Sequence, residues 1–177
     1  MREFPRENRN AELDKLLIRE GTALDVGTGG TFSMLFPQRK FSKVVAISAN
    51  PDIIAVMEDR HEDWLECRFR WCDVRGYIPQ ESFDLITMLH VAEHLLLPEL
   101  GHVLDTLTAV CRKQFVIETP EQFDDNMAAV EEEDDGYELH VSLVTAAFLA
   151  HWGFEPWARY WQNEKFSNAI YVRTTNG

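Results

Sequence analysis

Apolar residues along the chain follow two rhythms. Short, nearly unbroken runs read as buried strands: "TALDV" at 22–26, "KVVAIS" at 43–48, "CRFRWCD" at 67–73, "FDLITML" at 83–89 and "QFVIE" at 114–118. Between them the spacing becomes helical. Ala11 to Glu20 carries Leu13, Leu16 and Leu17 on one side and stops at Gly21. "FSMLFP" reads as a short helix ending before Pro37. "NPDIIAVMED" opens with Asn50 suited to an N-cap and Pro51 to the first helical position. Pro98 to Cys111 sets Leu100, Val103, Leu104, Leu107 and Val110 on one face. A helix near Ala146 to Trp152 has Thr145 as cap and Gly153 as terminator. "FEPWARYW" and "NAIYVR", joined by "QNEKFS", close the chain as two strands.

Seven strands separated by helices predict an α/β protein with a Rossmann-like, doubly wound and mostly parallel seven-stranded sheet, covered on both faces. The closing hairpin-like pair makes the last strand antiparallel. No repeat or linker divides the 177 residues, so residues 1–177 are expected to form a single domain.

Composition narrows the function. Thirty acidic against seventeen basic residues give a net charge of −13, with no basic stripe of the kind that neutralises phosphates, so a nucleic-acid partner is not expected. No apolar run is long enough to cross a bilayer, and "MREFPRENRN" lacks the apolar segment of a signal peptide. Cys67, Cys72 and Cys111 form no C-x-x-C pair; reduced thiols in a cytoplasmic protein are the expectation. Glu121 to Glu138 holds nine acids and no Lys or Arg. It reads as a solvated loop, or as a lid that draws in a cationic substrate.

In a parallel sheet, ligands bind beyond the carboxyl ends of the strands, so those ends are where chemistry is expected. The first ends in "LDVGTGG", where Gly27 and Gly29 let the backbone turn tightly. A dinucleotide turn needs a third small residue, and that place holds Phe32; nor does an acid stand between Val45 and Ser48 for the ribose. A nicotinamide dehydrogenase fits poorly.

"ALDVGTGG" resembles the first motif of the class I S-adenosylmethionine-dependent methyltransferases. "CDVRGYIPQESFDLITMLHVAEHL" resembles their next block, an acid after strand three followed by Phe-Asp-Leu and Glu-His-Leu. The resemblance spans about residues 20 to 120. It implies S-adenosylmethionine as cofactor and methyl transfer to a small molecule as the reaction. Asp25 is then expected near the methionine end, with the backbone of Gly27, Thr28 and Gly29 passing along it. Asp73 is expected to accept a hydrogen bond from the adenine amino group, with Val74 beside it. Leu89 and His90 are expected near the methyl group, and His94 in contact with the cofactor. Two positions depart from the family pattern. Thr31, next to Gly30, stands where a further glycine is common, and Ser48, followed by Ala49, stands where an acid usually binds the ribose. A serine hydroxyl binds a diol less strongly than a carboxylate does. A cofactor-binding protein without turnover is therefore the alternative.

His90, Glu93 and His94 also match H-x-x-E-H, a zinc-protease pattern. That pattern needs a helix to align residues four apart, whereas this stretch joins a strand to a helix that starts near Pro98. Zinc hydrolysis is the lesser alternative and no metal ligand is assigned. Glu118 and Glu121 leave a metal-dependent O-methyltransferase conceivable, although glutamates at an acidic loop are usually solvated. His90 and His140 are the candidate general bases, since both are expected at the edge where an acceptor enters. The acceptor is expected to be a small molecule, cationic if the acidic segment steers it. Its nucleophile (O, N or C) and the oligomeric state are not encoded legibly.

Overall fold

A computed structural model describes residues 1–122, 140–162 and 166–175. Eight strands form one sheet: β1 (Arg2–Pro5), β2 (Glu20–Val26), β3 (Lys40–Ser48), β4 (Cys67–Trp71), β5 (Phe83–Leu89), β6 (Cys111–Pro120), β7 (Glu155–Trp161) and β8 (Ser167–Thr174). Their order across the sheet is β1-β7-β8-β6-β5-β2-β3-β4. β8 runs antiparallel to both β6 and β7, and the other pairings are parallel. The seven strands expected from the sequence are β2 to β8. β1 is an eighth, laid parallel along β7 with Phe4 opposite Tyr160. Its register is held by side chains: the Phe4 ring stacks on Tyr160 at 5.7 Å, and the Arg2 guanidinium lies 4.7 Å from the Trp157 ring.

Side-chain alternation along the strands divides the core into two layers. Leu24, Val26, Val45, Ile47, Ile86, Met88, Phe115 and Ile117 face one way. They pack under α4 (Leu97–Val110) and α5 (Ala146–Ala150), through Leu100, Val103, Leu104, Leu107 and Leu149. Ala23, Val44, Ala46, Leu85 and Val116 face the other way, against α1 (Arg9–Leu16), α2 (Gly30–Leu35) and Met57 of α3 (Pro51–Arg60). Burying a Leu or Val of α4 contributes about 1.5–3 kcal/mol, so this face fixes the helix without help from propensity.

The expected caps form. Asn50 Oδ1 accepts from Asp52 N at 2.9 Å and Ile53 N at 3.4 Å, and Thr145 Oγ1 accepts from Phe148 N at 3.2 Å. Gly153 closes α5 at φ +78°. Helix α1 starts two residues before the expected Ala11 and ends at Leu16, because Glu20 and Gly21 are already paired with Lys40 and Phe41 as strand. The expected acidic lid lies, apart from Glu121 and Gln122, outside the described residues. Among the described residues no helix is long and apolar enough to cross a membrane.

Candidate active site

Sequence order reverses around β2. The chain moves outward to β3 and β4 on one side and resumes at β5 on the other. The crevice beyond such a switch point is where open α/β sheets bind ligands. Here it is a cavity of about 440 Å³. Gly27 and Thr28 line it after β2, Ser48 to Asn50 after β3, Cys72 to Arg75 after β4, and His90 and Val91 after β5. His94, Leu95 and His140 complete the far side.

Its floor is shaped by one glycine. Gly27 has φ +74°, and a Cβ there would stand 2.1 Å from Val91 Cγ2. Only a residue without a side chain lets the β2 turn pass under the turn after β5. The amides of Gly27 and Thr28 both donate to Ile47 O, at 2.8 and 2.9 Å, tying the turn to β3. Gly29, with φ −171°, is ordinary extended backbone, and a Cβ on it would meet open space.

At the other end Asp73 heads a single 3-10 turn, Val74–Gly76. Its Oδ1 accepts from Arg75 N at 2.9 Å, and Arg75 Nε reaches both carboxylate oxygens, at 3.1 and 2.9 Å. These bonds from Arg75 outweigh partial burial and hold the Asp73 carboxyl below its ordinary value, so it is an anion at neutral pH. Ser48 Oγ accepts from Asn50 N at 3.2 Å, which leaves its hydroxyl proton for another acceptor.

Asp25 and Leu89 do not line the cavity, and neither does Gly29. Asp25 is 5% exposed, with the Thr87 hydroxyl donating to its Oδ1 at 2.6 Å. Burial pushes its carboxyl up to about 7, against the opposing pull of that hydrogen bond. Alternation explains the placement: Asp25 shares a sheet face with Ala23, under α1 and α2, rather than pointing beyond the strand end.

His90 is the non-glycine residue with positive φ among the described residues, at +57°. Left-handed backbone costs such a side chain on the order of 1–2 kcal/mol and persists where contacts over-determine it. Those contacts are two carboxylates. Nδ1 lies 3.1 Å from Glu93 Oε1 and Nε2 lies 3.3 Å from Glu118 Oε1. Nε2 also lies 3.4 Å from the Tyr160 hydroxyl, whose own proton goes to Glu118. Facing two carboxylates and an oxygen already donating elsewhere, both ring nitrogens are satisfied as donors. Burial works against that charge, but bonds to Glu118 and Glu93 raise the imidazole to about 9. The arrangement does not suit the expected role as general base.

Glu118 is fully buried and is the hub of this network. Arg9 Nε donates to its Oε1 at 2.6 Å while Nη2 reaches Oε2, and the Tyr160 hydroxyl donates to Oε1 as well. Burial favours the neutral acid, yet His90 and Arg9 hold the carboxyl down to about 2. Glu121 is likewise engaged, accepting from Arg159 Nη2 and the Ser167 hydroxyl, each at 2.7 Å. Neither glutamate is available as the metal ligand considered from sequence. Arg9 and Tyr160 were missed by sequence reasoning. Arg9 stands 109 positions from Glu118, and no local pattern announces such a pair.

The fold and this cleft define a Rossmann-like protein with a cavity of about 440 Å³ at its switch point. The sequence model of one family, described as a methyltransferase domain, matches residues 23–114, more than half of the chain. The chain belongs to that family, the class I S-adenosylmethionine-dependent methyltransferases. No curated protein matches the sequence. Among solved structures, the chain is similar to the N-methyltransferase NodS from Bradyrhizobium japonicum WM9, at 15% identity and TM-score 0.66 over 96% of both chains. It is similar to 1,6-didemethyltoxoflavin-N1-methyltransferase from Burkholderia thailandensis, with bound 1,6-didemethyltoxoflavin and S-adenosylhomocysteine. That match has 20% identity and TM-score 0.66 over 94% of this chain and 76% of that one. Magnesium protoporphyrin IX methyltransferase from Synechocystis PCC 6803, with bound S-adenosylmethionine, matches at 13% identity and TM-score 0.63, over 95% and 77%. At these identities the likeness is one of fold.

Proposed function

We propose that the whole chain acts as one methyltransferase domain that moves the methyl group of S-adenosylmethionine to a small-molecule acceptor. The observation that carries this reading is that the Gly27 turn and the Asp73 carboxylate, 46 positions apart in sequence (73 − 27), line a single cleft. The cofactor fits the residues there. Asp73 is an anion with an exposed edge that can accept from the adenine amino group, beside the apolar Val74. Ser48, Asn50, Gly27 and Thr28 line the same cleft, which supports Ser48 and Asn50 as partners for the ribose hydroxyls and the Gly27–Thr28 backbone as the border of the methionine end. When bound, the sulfonium supplies an electrophilic methyl group and a neutral leaving thioether.

The protein's own contribution is alignment and exclusion of water, which by themselves lower a bimolecular barrier substantially. His90 acts here as a positioning residue. Its ring, pinned by Glu93 and Glu118, fixes the turn after β5 against Gly27 through Val91. His94 and His140 line the far side of the cavity, which this reading assigns to the acceptor. The absence of a basic stripe in the sequence and the size of the cavity support a small acceptor over a nucleic acid. Cys67, Cys72 and Cys111 are free thiols, which supports a reducing, cytoplasmic setting.

Calorimetric titration with S-adenosylmethionine and S-adenosylhomocysteine tests the proposal. Both should bind, and Asp73→Ala should weaken each by about tenfold to a hundredfold, the value of a charge-assisted hydrogen bond. Folded protein that binds neither ligand would refute it. Ser48, in place of a ribose-binding acid, favours a second reading, a cofactor-binding protein without turnover; steady release of S-adenosylhomocysteine with any acceptor eliminates that one.

A further inference from the structure

We propose that Glu93, His94 and His140 form a binding site for a divalent transition-metal ion, of the zinc class, at the acceptor end of the cleft. The H-x-x-E-H run does not work as a helical zinc motif, because it leaves β5 through a single 3-10 turn, Ala92–His94. That turn instead sends Glu93 inward, to 1% exposure, and sets His94 on the cavity wall. The third ligand comes from far along the chain. The amides of Val141 and Ser142 both donate to the Glu93 carbonyl, at 2.8 and 3.1 Å, and this clamp delivers His140 to the same wall. The His94 and His140 rings meet edge to face with centroids 4.9 Å apart. One ligand atom from each of the three residues lies within 4.8 Å of the others. Ligands about 2.0–2.2 Å from a tetrahedral ion stand roughly 3.3–3.6 Å apart, so side-chain rotation alone can close the set.

A second, independent observation points to a cation. Glu93 Oε1 is taken by His90 Nδ1, but Glu93 Oε2 is buried and has no hydrogen-bond partner. A buried carboxylate oxygen left unpaired is costly, and a metal ion would satisfy it. His90 then plays the part that groups behind a ligand commonly play, orienting the carboxylate through its other oxygen. Two imidazoles and one carboxylate select zinc, cobalt, iron or manganese over magnesium and calcium, which prefer all-oxygen sets.

Three protein ligands leave a coordination position open, and the wall that carries His94 and His140 faces the cavity. The class of acceptor this suits has an oxygen donor, a hydroxyl group. Bound to the ion, the hydroxyl gives up its proton to solvent more readily than when free. Its oxygen lone pair then forms the new C–O bond while the C–S bond breaks, the electron pair returning to sulfur. The products are a methyl ether, S-adenosylhomocysteine and one proton. This use of the ion rests on the methyl-transfer reading, whereas the existence of the site does not.

The test uses the full chain, stripped with a chelator and titrated with Zn²⁺ or Co²⁺ without any cofactor. One ion should bind per chain, Co²⁺ should show ligand-field bands in the visible, and His140→Ala and Glu93→Gln should each weaken binding at least about tenfold. Lack of stoichiometric binding by folded wild-type protein overturns the proposal, as does binding that His140→Ala leaves unchanged, the mark of adventitious surface histidines. Should Glu93→Gln fail to fold, His140→Ala decides alone, since its main-chain clamp to Glu93 belongs to the neighbouring residues. A parallel titration with S-adenosylhomocysteine separates the two readings. Metal binding without nucleoside binding removes the methyltransferase reading and keeps the site; the converse removes the site alone.

Discussion

The two halves of the cleft are built on different principles. On the β2–β4 side, the Asn50 cap and the Asp73 turn are each made by residues within a few positions of one another, and the Gly27 turn is a backbone bend hydrogen-bonded to the adjacent strand through Ile47 O. On the β5–β6 side, Arg9, His90, Glu118 and Tyr160 are brought together from four distant places, and charge rather than backbone shape holds them. The first half is a mould for a ligand. The second is a buried ionic brace beneath the turn after β5, and its members satisfy one another. Buried ion networks of this kind add little net stability over an apolar core but are costly to break.

That contrast makes its strongest prediction at Glu118. Glu118→Gln should cost roughly 3–5 kcal/mol in denaturant unfolding, because the Arg9 and His90 cations are left without their shared anion. The same group sets an acid limit. Its carboxyl is depressed from an ordinary 4.5 to about 2, so its contribution is fully present above pH 4.5 and is lost as pH falls toward 2. The loss amounts to roughly 3 kcal/mol, and Glu118→Gln should flatten it. An unaltered acid limb in the variant would mean the brace carries no such load.

On the other side the expected effect moves from stability to binding. Gly27→Ala places a Cβ at 2.1 Å from Val91 Cγ2 in left-handed backbone, so Val91, which lines the cleft, or the turn itself must shift. Affinity for S-adenosylhomocysteine should fall about a hundredfold, measured by calorimetry, with a stability loss of about 1–3 kcal/mol. Smallest is Ser48→Asp. A carboxylate at that strand end should strengthen nucleoside binding by about threefold to tenfold through charge-assisted bonds to the ribose. If it weakens binding instead, the ribose does not lie against β3.

The same contrast explains what could be read from the sequence. Asn50, Thr145 and Gly153 were legible because capping and helix termination depend on adjacent residues. The existence of the seven strands β2 to β8 along the chain followed from alternating strand and helix rhythms. β1 was not legible: "REFP" is short, carries two charges and a proline, and becomes a strand only because β7 offers an open edge with aromatic partners for Phe4 and Arg2. Asp25 was read as a cofactor contact from its motif, but strand alternation turns it under α1 and α2, toward Thr87. His90 was read as a base from its position at a strand end. Its chemistry is set by Glu118, 28 positions away (118 − 90) and reachable only through β5–β6 pairing. Local geometry is written locally, whereas charge networks are written in the fold.

Amide hydrogen exchange with and without S-adenosylhomocysteine tests the central claim most directly. One cleft between the glycine turn and the Asp73 turn should gain protection together at residues 26–28, 48–50 and 73–75, while Arg112 to Gln114, at the opposite end of β6, stay unchanged. Protection confined to one of the three turns, or found on a different face of the sheet, would contradict the account.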